Sequence, residues 1–352
     1  MELFYELVQV ALGNRNLLIR VPCPDEWEQV FQLAQKQCIT GIIFNALDGL
    51  GVQGQKLPRE ILYKWINYAE QIKWRNLIVN KRCVEITQMF ASEGLRTCIL
   101  KGQSNAMLYP DSLTRVPGDI DIWVDANRSE IDAFVHCKFP SEKGGRQHIK
   151  FPVFEDVPVE VHYIPTYMRT PWYDKQLQSF FREYADEQFC HFVTLEGSGG
   201  MCAVPTAWFS MVQQMAHLMS HFMGEGIGLR QFIDYYYVLK ACIDETDSRH
   251  LTEIIGIFRC CGLLKFASGV MWIEKELLGL EDKYIIVEPS ERMGQAIQRI
   301  IEEGGNFGHH NRLNVYRHKN LAYRAIGGTY QSFRALNYLP SETIWKIIRK
   351  VI

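Results

Sequence analysis

The sequence predicts an α/β (α+β) protein in which one small mixed sheet is set into a largely helical chain. Three observations predict it. From the N-terminus to about Arg96, apolar residues recur every three or four positions, the period of helices buried on one side. Between Thr97 and Pro165 the period shortens to two, over strand-length runs rich in β-branched residues. Past Pro165 the helical period returns. An island of strands flanked by helices suits a small sheet covered by helical layers. The 352 residues exceed one domain of ~100–150 residues. The pattern divides them into a helical N-terminal region (1–78), a sheet-bearing region (79–165) and a helical C-terminal region (166–352).

Element by element, the first helices are ELFYELVQVAL, EWEQVFQLAQKQ and the long run from Arg59 to Leu95, punctuated by Pro22, Pro24 and GLGVQGQKLP. Gly94 closes the third, as a glycine past a helix C-terminus commonly does. TCILKG reads as a short buried strand, and DIDIWV as a strand alternating carboxylates with apolar residues. A helix is expected over 128–138. HIKFPVF and VPVEVHY then read as two strands joined by a tight turn at Glu155 and Asp156, and adjacent antiparallel strands would bring Glu160 beside Asp119 and Asp121. The clearest later helices are PTAWFSMVQQMAHLMSHFM and LRQFIDYYYVLKACI, separated by GEGIG. LTEIIGIFRCCGLLKFASGVMWIEKELLGL and SERMGQAIQRIIEEGG follow. From Asn306 the chain mixes glycine, histidine and aromatics before a last helix at SETIWKIIRKVI.

Composition narrows the function. Hydrophobic residues make up 47% and charged residues 22%, enough apolar surface for a real core. The formal charge is −2 with no Lys/Arg block, which disfavours long nucleic acid as a partner. The ten cysteines are scattered, apart from Cys260 and Cys261, without a C-x-x-C pair, so they read as reduced thiols among apolar neighbours. The N-terminus lacks the basic start and apolar run of a signal peptide, and no stretch reaches the ~18 apolar residues that span a bilayer. A reducing cytoplasm and no membrane partner are expected.

The chemistry concentrates in KGQSNAMLYPDSLTRVPGDIDIWV, Lys101 to Val124. It reads as a strand end, a glycine turn, a short helix, a loop, and the strand of Asp119 and Asp121. Residues two apart on a strand share a face, so these carboxylates project together. Their repulsion asks for a cation, and Mg2+ (or Mn2+) suits oxygen ligands and keeps room for phosphate. Gly102 lets the backbone approach a phosphate, and the turn into the next helix offers N–H groups to an anion. Glu160, mid-strand among β-branched residues, is the candidate third carboxylate of a two-metal centre.

These residues resemble the uncharacterised nucleotidyltransferase family called nucleotidyltransferase type 5, in the polymerase-beta-like superfamily. The likeness rests on Gly102 and Ser104, then Asp119 and Asp121, then Glu160. Lys101, Tyr109, Arg115, Gly118 and His162 around them are also similar to the family. AHLMSHF and GLRQFIDYYYVL resemble its helical half, with His217, His221, Arg230 and Asp234, and GGNFGHH (304–310) matches more loosely. In this sequence Gln103 separates Gly102 from Ser104, where the superfamily usually has Gly-Ser or Gly-Gly. The resemblance implies a nucleotidyltransferase palm and a metal-dependent transferase of the EC 2.7.7 type, moving a nucleoside monophosphate from ATP or another NTP to a hydroxyl. Asp119, Asp121 and Glu160 would be both catalytic and metal-binding. Lys101, Gly102, Ser104, Arg115, Gly118 and Arg230 would contact the nucleotide. The acceptor, a small molecule or a protein side chain, is not implied.

Other readings stand beside these. Arg115 either grips phosphate in a fork or pairs with Asp111 or Asp119. Arg230 either pairs with Asp234, four residues on, or reaches the cleft. His217 and His221 share a helix face without the H-E-x-x-H pattern, and read as histidines bracing an interface. Tyr235, Tyr236 and Tyr237 read as core, and His148 as an edge residue. For the whole chain, the alternatives are a non-catalytic nucleotide-binding or interaction protein, such as a toxin–antitoxin partner, and a metal-dependent phosphohydrolase.

Overall fold

The computed structural model describes residues 1–51, 53–224, 226–245, 248–306 and 335–351. Most of the GGNFGHH segment and the stretch that follows it therefore lie outside the described residues. Helices α1 (Glu2–Ala11), α2 (Pro24–Lys36) and α4 (Arg59–Ala91) fall where the apolar period places them. Helix α3 (Thr40–Leu47) does not announce itself. Its eight residues are buried almost all round, so no polar stripe marks a period. Gly41 is required there, because a Cβ would collide with the carbonyl of Thr114 in the loop that leads to Asp119.

Strand β1 (Thr97–Leu100) follows α4 through Gly94 (φ +76°), then come α5 (Gly102–Ala106), β2 (Ile120–Val124), α6 (Arg128–Lys138), β3 (His148–Lys150) and β4 (Val159–His162). The sheet order is β1-β2-β4-β3. β1 is antiparallel to β2 and β3 to β4, but β4 runs parallel to β2, with Asp121 opposite Glu160. The expectation that antiparallel neighbours carry all the acids is corrected here. The crossover through α6 returns the chain parallel to β2, and β3 takes the outer edge. β3 is also shorter than HIKFPVF, since Pro152 cannot donate to a ladder.

The two faces of this sheet differ sharply. Ile99, Ile120, Ile122, Val124, Ile149, Val159 and Val161 point to one side, into a core shared with Val79, Cys83, Ile86 and Phe90 of α4 and with Ile131 and Val135 of α6. Alternation then obliges Asp121, Trp123, Glu160, His162, His148 and Lys150 to share the other side. There Trp123 packs on Phe189 and Phe209, at ring-centroid distances of 4.4 and 6.0 Å.

After the sheet come α7 (Pro171–Glu183), α8 (Ala185–Cys190), β5 (Phe192–Thr194), β6 (Met201–Ala203), α9 (Ala207–Met223), α10 (Leu229–Glu245), α11 (Ser248–Cys260), α12 (Leu264–Trp272), α13 (Glu291–Gly304) and α14 (Pro340–Val351). Within the expected helical second half lies the β5–β6 hairpin, whose three-residue strands are too short to show a period of two. Leu195, Cys202 and Val204 from this hairpin region join the sheet's apolar core, so that core reaches past residue 165. The LTEIIGIF…LLGL run bends at Gly262 (φ +68°) into α11 and α12. Among the described residues no single helix is long and apolar enough to cross a membrane.

Candidate active site

The site is built where β1 stops. Lys101 has φ 50° and ψ −140°, a conformation that costs a non-glycine residue about 1–3 kcal/mol. Gly102 follows at φ +34°. The reversal turns the chain off the sheet into α5 and leaves the Lys101 side chain over β2. There its Nζ lies 3.1 Å from Asp121 Oδ2 and 3.3 Å from His217 Nε2 of α9. The Gln103 side chain points the other way, donating to Asn80 and to Asn76 (3.3 Å) of α4. Its insertion between Gly102 and Ser104 therefore anchors the turn to α4. Ser104 is buried, and its hydroxyl donates to the Lys101 carbonyl at 2.7 Å. That bond holds the turn closed and engages the hydroxyl's proton.

Asp119, Asp121 and Glu160 converge as expected: each offers a carboxylate oxygen within 4.8 Å of the others. Asp119, on the last residue before β2, is exposed, as is Gly118, while Asp121 is only 8% exposed. His162 Nε2 lies 2.7 Å from Asp121 Oδ1, so Asp121 is held on both oxygens. Burial opposes its ionisation, but Lys101 and His162 outweigh burial and hold the carboxyl well below the usual range. Asp121 in turn raises the pKa of Asp119, whose carboxyl is partly desolvated within the cluster although the residue is exposed. Burial, then Asp121 and Asp119, push Glu160 up to about 7. Three carboxylates this close lack enough positive charge among themselves, and the oxygen set fits a divalent cation.

His217 and His221 lie behind Lys101, with their Nε2 atoms 2.8 Å apart. Burial, then the Lys101 charge, keeps both neutral, His221 falling to about 3. The expected interface histidines thus stand in line with the site.

Arg115 is where the structure departs most from expectation. It pairs with neither Asp111 nor Asp119. It is buried, and its Nε and Nη2 donate to the two oxygens of Asp234 at 2.6 and 2.8 Å. Tyr109 Oη donates to Asp234 Oδ1 at 2.6 Å. Burial opposes the guanidinium charge, but Asp234 prevails and raises the pKa above the ordinary value. Arg230 Nη1 donates to the Val116 carbonyl at 2.8 Å, and Asn76 Nδ2 donates to the Leu113 and Arg115 carbonyls, both at 2.8 Å. Together they fasten the loop before Asp119 to α4 and α10. Tyr235 and Tyr236 are buried, and Tyr237 packs on Tyr109 at 4.3 Å.

His148 was not expected to matter. Its Nδ1 lies 3.2 Å from Glu160 Oε2. The signal was present in the parity of the β3–β4 hairpin, which sets His148 opposite His162.

A search of curated proteins returns no match. Among solved structures, an antigenic nucleotidyltransferase-like protein from Paracoccidioides brasiliensis aligns at 13% identity and a TM-score of 0.35, over 64% of this chain and 98% of its own. A family model described as uncharacterised nucleotidyltransferase matches residues 24–279, most of the chain, and the protein belongs to that family.

Proposed function

We propose that the protein transfers a nucleoside monophosphate from an NTP to a hydroxyl acceptor, at a divalent-metal site formed by Asp119, Asp121 and Glu160. The observation that carries this reading is the convergence of three carboxylates within 4.8 Å on one sheet face. When bound, Mg2+ or Mn2+ would supply charge for the triphosphate and activate the attacking oxygen. Asp121, kept ionised by Lys101 and His162, would help hold such an ion once those contacts make room for it. Glu160, beside both acids, would hold the ion with them and position the acceptor hydroxyl. Lys101 and the Gly102 backbone lie beside the acids, where phosphate oxygens need positive charge and close approach. Gly118, exposed next to Asp119, leaves the entrance unobstructed. The acceptor is a small molecule or a protein side chain.

Calorimetric titration with non-hydrolysable analogues of the four common NTPs, with and without Mg2+, tests the reading. We expect Mg2+-dependent binding of at least one nucleotide, lost in the double variant Asp119→Asn/Asp121→Asn. With hydrolysable NTP, pyrophosphate release supports transfer. Release of inorganic phosphate means hydrolysis, and no binding by folded protein rejects the assignment.

A further inference from the structure

We infer that His148, Glu160 and His162 form a second metal position, one that selects a transition-metal ion such as Zn2+ or Co2+ over Mg2+. The inference rests on strand geometry alone and needs no nucleotide, so it stands or falls apart from the transferase reading. In the β3–β4 hairpin, His148 pairs with His162 and Lys150 with Glu160. Because Ile149 and Val161 fill the opposite face, both imidazoles and the carboxylate are obliged to emerge together. His148 Nδ1 lies 3.2 Å and His162 Nε2 3.9 Å from the same atom, Glu160 Oε2, and the three lie within 4.8 Å of one another. An ion bonded at ~2.0–2.2 Å holds neighbouring ligands about 3–3.5 Å apart, so small side-chain rotations complete the set.

The ligand chemistry sets the preference. Imidazole nitrogens suit Zn2+ and its first-row neighbours, whereas Mg2+ takes oxygens and dehydrates reluctantly. Three protein ligands leave a fourth position for water or substrate. Asp119 plays no part in this set, and Glu160 is the single member shared with the acid cluster.

Gln147 stands behind His162, whose ring is 1% exposed, and tunes it against metal binding. Gln147 Nε2 donates to the Pro165 carbonyl at 3.0 Å and lies 3.3 Å from His162 Nδ1. An ion at Nε2 would replace its contact with Asp121 Oδ1, and a neutral ring would then carry its proton on Nδ1, facing Gln147. An acceptor at position 147 would favour that tautomer, as carboxylates behind metal-bound histidines do.

Co2+ titration of the full-length chain without nucleotide, followed by visible absorption and calorimetry, tests the site. We expect one Co2+ per chain at this position, and affinity at least about tenfold weaker in His148→Ala. Asp119→Asn should cost far less, and Gln147→Glu should tighten binding. His148→Gln, which keeps a neutral polar side chain on the strand, repeats the test if the alanine variant loses its fold by circular dichroism. No Co2+ bound by the folded wild type, equal losses from His148→Ala and Asp119→Asn, weaker binding in Gln147→Glu, or displacement of Co2+ by equimolar Mg2+ would each overturn the inference.

Discussion

Two clusters of charge flank the loop from Asp111 to Asp119, and they are built in opposite ways. On its α10 side, Arg115, Asp234 and Tyr109 close on one another: the guanidinium covers both carboxylate oxygens, and the phenol adds a third bond. On its sheet side, Asp119, Asp121 and Glu160 face one another, Lys101 and His162 bear on Asp121, and the pKa values of Asp119 and Glu160 are raised. A buried ion pair that satisfies itself has no need of a ligand and stabilises the loop. A cluster that repels itself is stable only as far as something from outside completes it. The motif residues Arg115 and Asp119 therefore belong to different kinds of machinery, although four positions apart.

The comparison breaks most readily at Asp121. Asp121→Asn should lower pyrophosphate release by roughly a thousandfold or more, on the order of 4 kcal/mol of transition-state stabilisation. The variant should still fold cooperatively, at a lower denaturant midpoint, because Lys101 and His162 lose their charged partner. Turnover within tenfold of wild type would show that the open cluster is not a catalytic one. Arg115→Met should do the reverse. It leaves Asp234 buried and uncompensated and costs about 3–5 kcal/mol in denaturant unfolding. In the double variant Arg115→Met/Asp234→Leu much of that loss should return. If the double variant is no more stable than Arg115→Met, the pair is not closed in the sense described.

Glu274 sharpens the same contrast with a smaller effect. It lies fully buried just past α12, and neither carboxylate oxygen has a hydrogen-bond partner among the described residues. Burial raises its pKa well above the ordinary 4.5. Ionisation is thus penalised only in the folded chain. Stability is full below the unfolded value and declines as pH climbs from there towards the folded one. Glu274→Met should remove that decline, gaining about 1–3 kcal/mol at pH 8 and less at pH 5. A gain equal at both pH values would mean that the carboxyl is satisfied after all.

The acids of the site were legible because strand alternation is a local rule: Asp119 and Asp121 share a face on any strand, and Glu160 stands out among valines. The direction of β4 was not legible, since the hydrophobic pattern of a strand reads the same parallel or antiparallel. Helix α3 and the β5–β6 hairpin were missed because short or wholly buried elements carry too little period. Arg115 was misread for a different reason. A guanidinium serves phosphate or carboxylate equally well, and its partner lies 119 residues away in α10.

What the sequence alone determined about this protein is its mixed architecture, the position of the sheet between helices, and the three carboxylates of the candidate site. Each follows from spacing within a few residues. The tertiary structure decided that Lys101 turns back over Asp121, that Arg115 is consumed by Asp234, and that His148 joins Glu160 and His162. Those outcomes depend on which distant groups share a buried space. In a low-dielectric interior each charge must find a partner, and chain spacing does not record where that partner comes from.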